Sequence, residues 1–172
     1  MMSPFRLAVP ALVLLLSACA TPVERGPAPL TDATPEQMVA AVEAAAGDGD
    51  GELAVMPLRD PMVEDLRAQS RTAIAARDYD AAAAALDRAL DIIPDDPALL
   101  QERAEAALLQ RDFERAGALA ERAFALGAQV GPLCRRHWAT IEQVRLVAGD
   151  AEGAASAARQ VEGCRVAGPD RY

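Results

Sequence analysis

The stretch from Gly131 to Trp138, GPLCRRHW, gathers the side chains of this chain that are most suited to chemistry. It holds the only His, His137, the only Trp and Cys134, which is one of three Cys in 172 residues. A His beside a Cys could activate a thiolate nucleophile or supply two ligands to zinc. Either chemistry needs further partners, so the surrounding elements decide between a site and a structural role.

Those further partners are not evident in the sequence. A catalytic triad needs a nucleophile beside the His and an acid that orients it, and zinc needs several ligands. The acidic stretch that starts at Asp48 does not fit a calcium loop, because Leu53 and Arg59 stand where Gly and an acid are required. No GxSxG or phosphate-binding loop is present either. We therefore expect no catalytic residue, metal, cofactor or small-molecule substrate, and a binding protein rather than an enzyme.

Composition predicts an all-α fold. Hydrophobic residues make up 52% of the chain but aromatic residues only 3%. A core of Ala and Leu favours closely packed helices, because these residues have high helix propensity and let backbones approach. The net charge is −9, which argues against nucleic acid as a partner, since binding to phosphates depends on excess basic charge.

The N-terminus has the features of a secretory signal. Residues 1–18 contain Arg6, then an apolar run that ends at Leu16 and is too short for a membrane span, which needs about 20 residues. Leu16-Ser17-Ala18-Cys19 resembles the bacterial lipobox. That resemblance implies a lipoprotein whose Cys19 is acylated, with palmitate or a similar chain, so that the protein is anchored to the membrane by lipid. Ala20 and Thr21 follow in place of Asp, which by the same resemblance favours the periplasmic face of the outer membrane.

Residues 19–62 are predicted to link the lipid anchor to the folded domain. Residues 20–33 are rich in Pro, Thr and Ala and predict an extended or disordered tether. A short helix is expected near residues 35–46, because Thr34 suits the N-cap, Pro35 the first turn, and Gln37 completes a capping box.

A period of about 34 residues follows, as in helical repeat proteins. The copies span residues 63–96, 97–130 and 135–168, with a tail at 169–172, and the third fits only if Gly131 to Cys134 are an insertion. Arg77-Asp78-Tyr79, Arg111-Asp112-Phe113 and Gly149-Asp150 mark the turns within the repeats. The pattern resembles tetratricopeptide repeats, which implies a short right-handed solenoid of about three helix-turn-helix units. Gln69 and Arg103 depart from it, because an apolar residue is usual at their position.

The repeat register gives the opening stretch a structural interpretation. Trp138 falls where the family keeps a large residue that packs between repeats, and His137 is expected on the surface between two repeats. Cys134 precedes the first helix of the third repeat and Cys164 ends its second helix, so antiparallel packing brings them together. In an oxidising periplasm, with Cys19 acylated, this pair would form a disulfide. Two free buried thiols remain the alternative.

The concave face of such an array is lined by the first helix of each repeat and suits a peptide or a partner's helix. The polar side chains predicted to bind a partner there are Arg67, Arg71, Gln101, Glu105, Arg136 and Gln143, and Arg135 of the opening stretch is a further candidate for contact.

The lipobox, the Pro-containing linker and the run Arg135-Arg136-His137-Trp138 followed by Ile141 resemble the pseudomonad-type lipoprotein activators of class A penicillin-binding proteins. The resemblance implies a lipoprotein that reaches from the outer membrane, docks on a bifunctional synthase and stimulates peptidoglycan synthesis. A tether of about 40 residues spans at most roughly 130 Å, which is short for that task. The alternative function is a scaffold or accessory protein for outer-membrane protein or pilus assembly.

Overall fold

A computed structural model describes residues 26–47 and 60–165. The predicted signal peptide, Cys19, the calcium-like acidic stretch and the tail at 169–172 lie outside these ranges. Every regular element within them is a helix, as the composition predicted. The helices are α1 (Pro35–Ala46), α2 (Pro61–Ala75), α3 (Tyr79–Ile92), α4 (Pro97–Leu109), α5 (Phe113–Leu126), α6 (Gly131–Val147) and α7 (Ala151–Gly163).

Each predicted repeat is a pair of packed helices, and neighbouring pairs stack on one another. The pairs are α2 with α3, α4 with α5 and α6 with α7, and they join through contacts between α3 and α4 and between α5 and α6. Small residues make this close packing possible. Most of those at the expected repeat positions are fully buried, among them Ala82, Ala89, Ala104, Ala116, Ala120 and Ala123.

The turn inside each pair has the same construction in all three repeats. One residue adopts a left-handed conformation, and the Asp that follows caps the second helix of the pair. Asp78 accepts a hydrogen bond from the backbone N–H of Ala81, Asp112 from that of Arg115 and Asp150 from that of Gly153. An N-cap carboxylate accepts a hydrogen bond from a free backbone N–H, and its negative charge interacts favourably with the positive end of the helix dipole.

The four-residue insertion before the third repeat is helical. Helix α6 begins at Gly131 and has 17 residues, whereas α4 has 13. Gly131 to Cys134 therefore add one turn to the N-terminus of α6, and the remainder of the helix keeps the repeat register.

Helix α1 has the capping box that the sequence predicted, with hydrogen bonds in both directions between Thr34 and Gln37. It packs on α6 and α4. Met38 and Val42 are buried there against Leu108 and Ala139. The described domain therefore includes a helix that the sequence had placed in the linker.

The chain before α1 also lies on the domain. The backbone N–H of Leu30 donates to the carbonyl of Leu146, near the C-terminal end of α6, at 2.8 Å. At the other end of α6, the guanidinium of Arg135 donates to the carbonyls of Ala45 and Ala46. Helix α1 is therefore antiparallel to α6, and the described part of the predicted tether is a docked segment.

Two polar residues, His137 and Arg103, are buried in the domain. His137 was expected on the surface, but it is fully buried, because it faces α4 across the interface between the second and third repeats. Arg103, which stands at a usually apolar position, is also buried, and its charge is paired with Asp87 at 2.7 Å.

Among the described helices, none is both long and apolar enough to cross a membrane.

Candidate partner-binding surface

The face of the first helices, which the sequence predicted to be a concave groove, is already occupied over its second and third repeats. Helix α1 lies there, and its apolar side chains cover Leu108 of α4 and Ala139 of α6. Both of these residues are buried. The predicted groove is therefore filled by the chain's own helix where α4 and α6 meet.

A buried polar network joins α4 to α6 beside α1. The amide nitrogen of Gln101 donates to Glu105 Oε1 and to Thr140 Oγ1, both at 2.8 Å. The amide oxygen of Gln101 therefore faces His137 Nδ1 at 2.7 Å, and Nδ1 must be the donor. Arg136 completes the network through two hydrogen bonds to the Glu105 carboxylate, at 2.9 and 2.6 Å.

Burial determines the protonation of this network. It lowers the pKa of His137 to about 4, with a smaller contribution from the charge of Arg136. The ring is therefore neutral at pH 7, and its Nε2 has no hydrogen-bond partner among the described residues. Burial also raises the pKa of Glu105, against the opposing effects of Arg136 and Gln101.

The Cys–His chemistry suggested by the opening stretch does not form. Cys134 is bonded to Cys164 in a disulfide with a Cα–Cα distance of 5.8 Å, so its sulfur is not available as a thiolate. Both cysteines are buried. Trp138 packs edge to face on Phe124, with ring centroids 4.8 Å apart, between the second and third repeats. Within residues 26–47 and 60–165, no group of three or more His, Cys, Asp or Glu side chains could hold a metal ion.

The seven predicted partner-binding residues fall into two groups. Five are used inside the domain, because they form the network, cap α1 or pair with acids: Gln101, Glu105, Arg136, Arg135 and Arg67. The other two are Arg71, which is exposed on α2, and Gln143, which is half-buried on α6. The structure therefore does not bring the seven together as one open surface.

The fold of this domain is similar to that of a solved protein domain. No family model matches the sequence, and no curated protein matches it. Among solved structures, the fold is similar to the globular C-terminal domain of P. aeruginosa LpoP, with a TM-score of 0.58 and 30% sequence identity. The match covers 61% of this chain and 99% of the LpoP domain. The folded part of this chain is an LpoP-like domain.

Helix α1 of this LpoP-like domain was predicted from the sequence, but its packing on α4 and α6 was not. A signal for it was present, since Pro35, Met38 and Val42 recur at helical spacing and are the buried side chains of α1. A linker helix would have no reason to keep one apolar face.

Proposed function

We propose that this chain is a lipid-anchored protein of the periplasm whose LpoP-like domain binds a class A penicillin-binding protein and stimulates peptidoglycan synthesis. The observation that carries the proposal is the similarity to the LpoP domain over almost the whole of that domain. The lipobox-like Leu16-Ser17-Ala18-Cys19 upstream supports anchoring at the outer membrane. In this proposal the role is regulatory, and the Cys and His of the opening stretch serve to hold the domain together.

Binding through the concave face is restricted by α1. Of the predicted groove residues, Arg71 offers an exposed guanidinium on α2, and Gln143 offers an amide at the rim. The buried members, Gln101 and Glu105, act indirectly by fixing α4 and α6 in register. In this proposal the partner contacts Arg71 and Gln143, while the network keeps the surface rigid.

The docked α1 also limits how far the domain can move from the membrane. From Cys19 to residue 26, where the docked segment begins, the chain spans at most roughly 25 Å. Release of α1 would return a tether of about 40 residues and a reach of up to roughly 130 Å. The proposal therefore includes release of α1 when the partner lies beyond the shorter distance.

The test is reconstitution of the full-length acylated protein with a class A penicillin-binding protein from the same bacterium. We expect faster glycan polymerisation and crosslinking in its presence, with an unrelated lipoprotein as the control. An unchanged rate together with no detectable binding would contradict the proposal. Recovery of barrel-assembly or pilus components after crosslinking in the envelope would instead support the alternative function.

A further inference from the structure

Two turns at one edge of the domain carry arginine in a conformation that glycine adopts more readily. Arg77 has a φ of 60° and Arg111 a φ of 62°. In this left-handed region a Cβ atom approaches the following carbonyl, so residues other than glycine are disfavoured. The two residues are one repeat apart, each between the paired helices of its repeat. They therefore lie at the same edge, at equivalent places.

The third repeat shows that this turn can be made with glycine. Gly149, at the equivalent position, has a φ of 75°. A Cβ atom there would lie 2.6 Å from both the carbonyl oxygen of Ala28 and the Cβ of Pro27. Glycine is thus required where the docked N-terminal segment crosses the edge. Backbone geometry does not explain arginine at the other two turns.

Interactions within the domain do not explain it either. Both arginine side chains are exposed, and across the described ranges neither makes a hydrogen bond or an ion pair. Arg77 does act at longer range on Glu36, whose pKa is lowered mainly by hydrogen bonds from its own backbone, Tyr79 and Thr34. By contrast, Arg115 pairs with Asp87 at 3.1 Å.

Several acids at the same edge are already engaged in hydrogen bonds, whereas Glu114, beside the second turn, is an exposed acid. Asp78 and Asp112 cap helices, Asp80 accepts from Gln110 and Glu36 accepts from Tyr79. These carboxylates would repel a diffuse polyanion such as nucleic acid or an anionic membrane, as would the net charge of −9. A pair of carboxylates in defined positions on a folded partner can reach the guanidinium groups and avoid the acids.

We propose that Arg77 and Arg111 form an interaction surface, the arginine edge, that binds a pair of carboxylates on a folded protein partner. Guanidinium groups form paired hydrogen bonds with carboxylates, and these are stronger than neutral ones. Arginine is retained in the disfavoured left-handed conformation at these two turns because its side chain is used in binding. This inference rests on the proposed function only in that the partner is a protein.

The test is site-specific photocrosslinking in cells that produce the full-length chain. A photoreactive residue replaces the exposed Glu114, beside the second turn, or, as a control, the exposed Ala155 on α7. We expect an adduct with one protein at Glu114. Its yield should fall by about tenfold or more in the double variant Arg77→Gly/Arg111→Gly, because two charge-assisted contacts are lost. Arg88→Ala/Arg159→Ala, which removes two other exposed arginines, should leave the yield unchanged.

A second measurement separates binding from folding. The glycine variant should have a higher thermal midpoint than the wild type, since it relieves two disfavoured backbone conformations, so its loss of adduct cannot arise from unfolding. No adduct at Glu114, or an adduct that the glycine variant leaves intact, would overturn the arginine edge. An Arg-dependent adduct with a protein other than a penicillin-binding protein would support the edge, and the proposed function would then be decided by its own reconstitution test.

Discussion

The first and third repeats have the same helix-turn-helix construction but are stabilised differently. The third is covered by α1, closed by the Cys134–Cys164 disulfide and joined to α4 by buried hydrogen bonds. The first has an apolar cluster that includes Leu66 and Leu86. It also pairs Arg67 of α2 with Glu102 of α4. The array is therefore closed by a covalent bond and a buried hydrogen-bond network at its C-terminal end, and by apolar packing and ion pairs without a disulfide at its N-terminal end.

This contrast shows where a short array obtains its stability and where it can bind a partner. Each repeat contacts only its neighbours, so an end repeat lacks half of the interfaces of an inner one. In the third repeat the disulfide and α1 replace the missing neighbour. Helix α1 packs on α4 and α6 and reaches the first repeat through the hydrogen bond from Tyr79 to Glu36. The first repeat exposes Arg71 and Arg77, so the end repeat without a disulfide presents two of the proposed binding groups.

Among the changes considered for the two ends of the array, removing the disulfide should have the largest effect on the free energy of unfolding. The bridge closes a loop between residues 30 apart in sequence, which in the chain-entropy model contributes about 3–4 kcal/mol. Cys134→Ala/Cys164→Ala should lower the free energy of unfolding by about that amount relative to the oxidised wild type, as measured by urea unfolding. With reductant present, wild type and variant should have similar stability. A variant as stable as the oxidised protein would show that the third repeat does not depend on the bridge.

Acid should weaken the same end of the array through His137. Its pKa falls from 6.5 to about 4 on folding, so between these values the unfolded state binds a proton that the folded state does not. Stability contributed by the neutral ring is complete above pH 6.5 and is lost as the pH falls to 4, by about 3 kcal/mol. Urea unfolding at a series of pH values measures this slope.

The control for that slope is His137→Asn, which cannot take up a proton. The raised pKa of Glu105 acts in the opposite direction, because the folded state then binds a proton more readily than the unfolded state as the pH falls. Subtracting the variant's profile from the wild type's removes this contribution. A wild-type profile parallel to that of His137→Asn between pH 7 and 4 would show that the ring is solvated in the folded state.

Much of this architecture could be predicted from local patterns. The turns at Asp78, Asp112 and Asp150 and the capping box at Thr34 depend on residues close in sequence, so their spacing was sufficient. The position of α1 and the burial of His137 depend on contacts between distant segments, which repeat spacing does not encode. The polar network depends on Gln101 meeting His137 and Thr140 across two helices. Sequence alone therefore assigned Gln101 to an open groove.

Weakening the contact between α1 and the array should have the smallest of these effects on stability and the most direct consequence for function. Met38 is 3% exposed, and Met38→Ala should cost about 2 kcal/mol, near the low end for such truncations because α1 can settle onto α6. Ala41→Ser, on the exposed face of α1, should change stability by less than about 0.5 kcal/mol. Because the docked helix shortens the tether, Met38→Ala should increase capture of a distant partner in the envelope, whereas Ala41→Ser should not. Reduced capture by Met38→Ala would instead mean that α1 is part of the surface that the partner recognises.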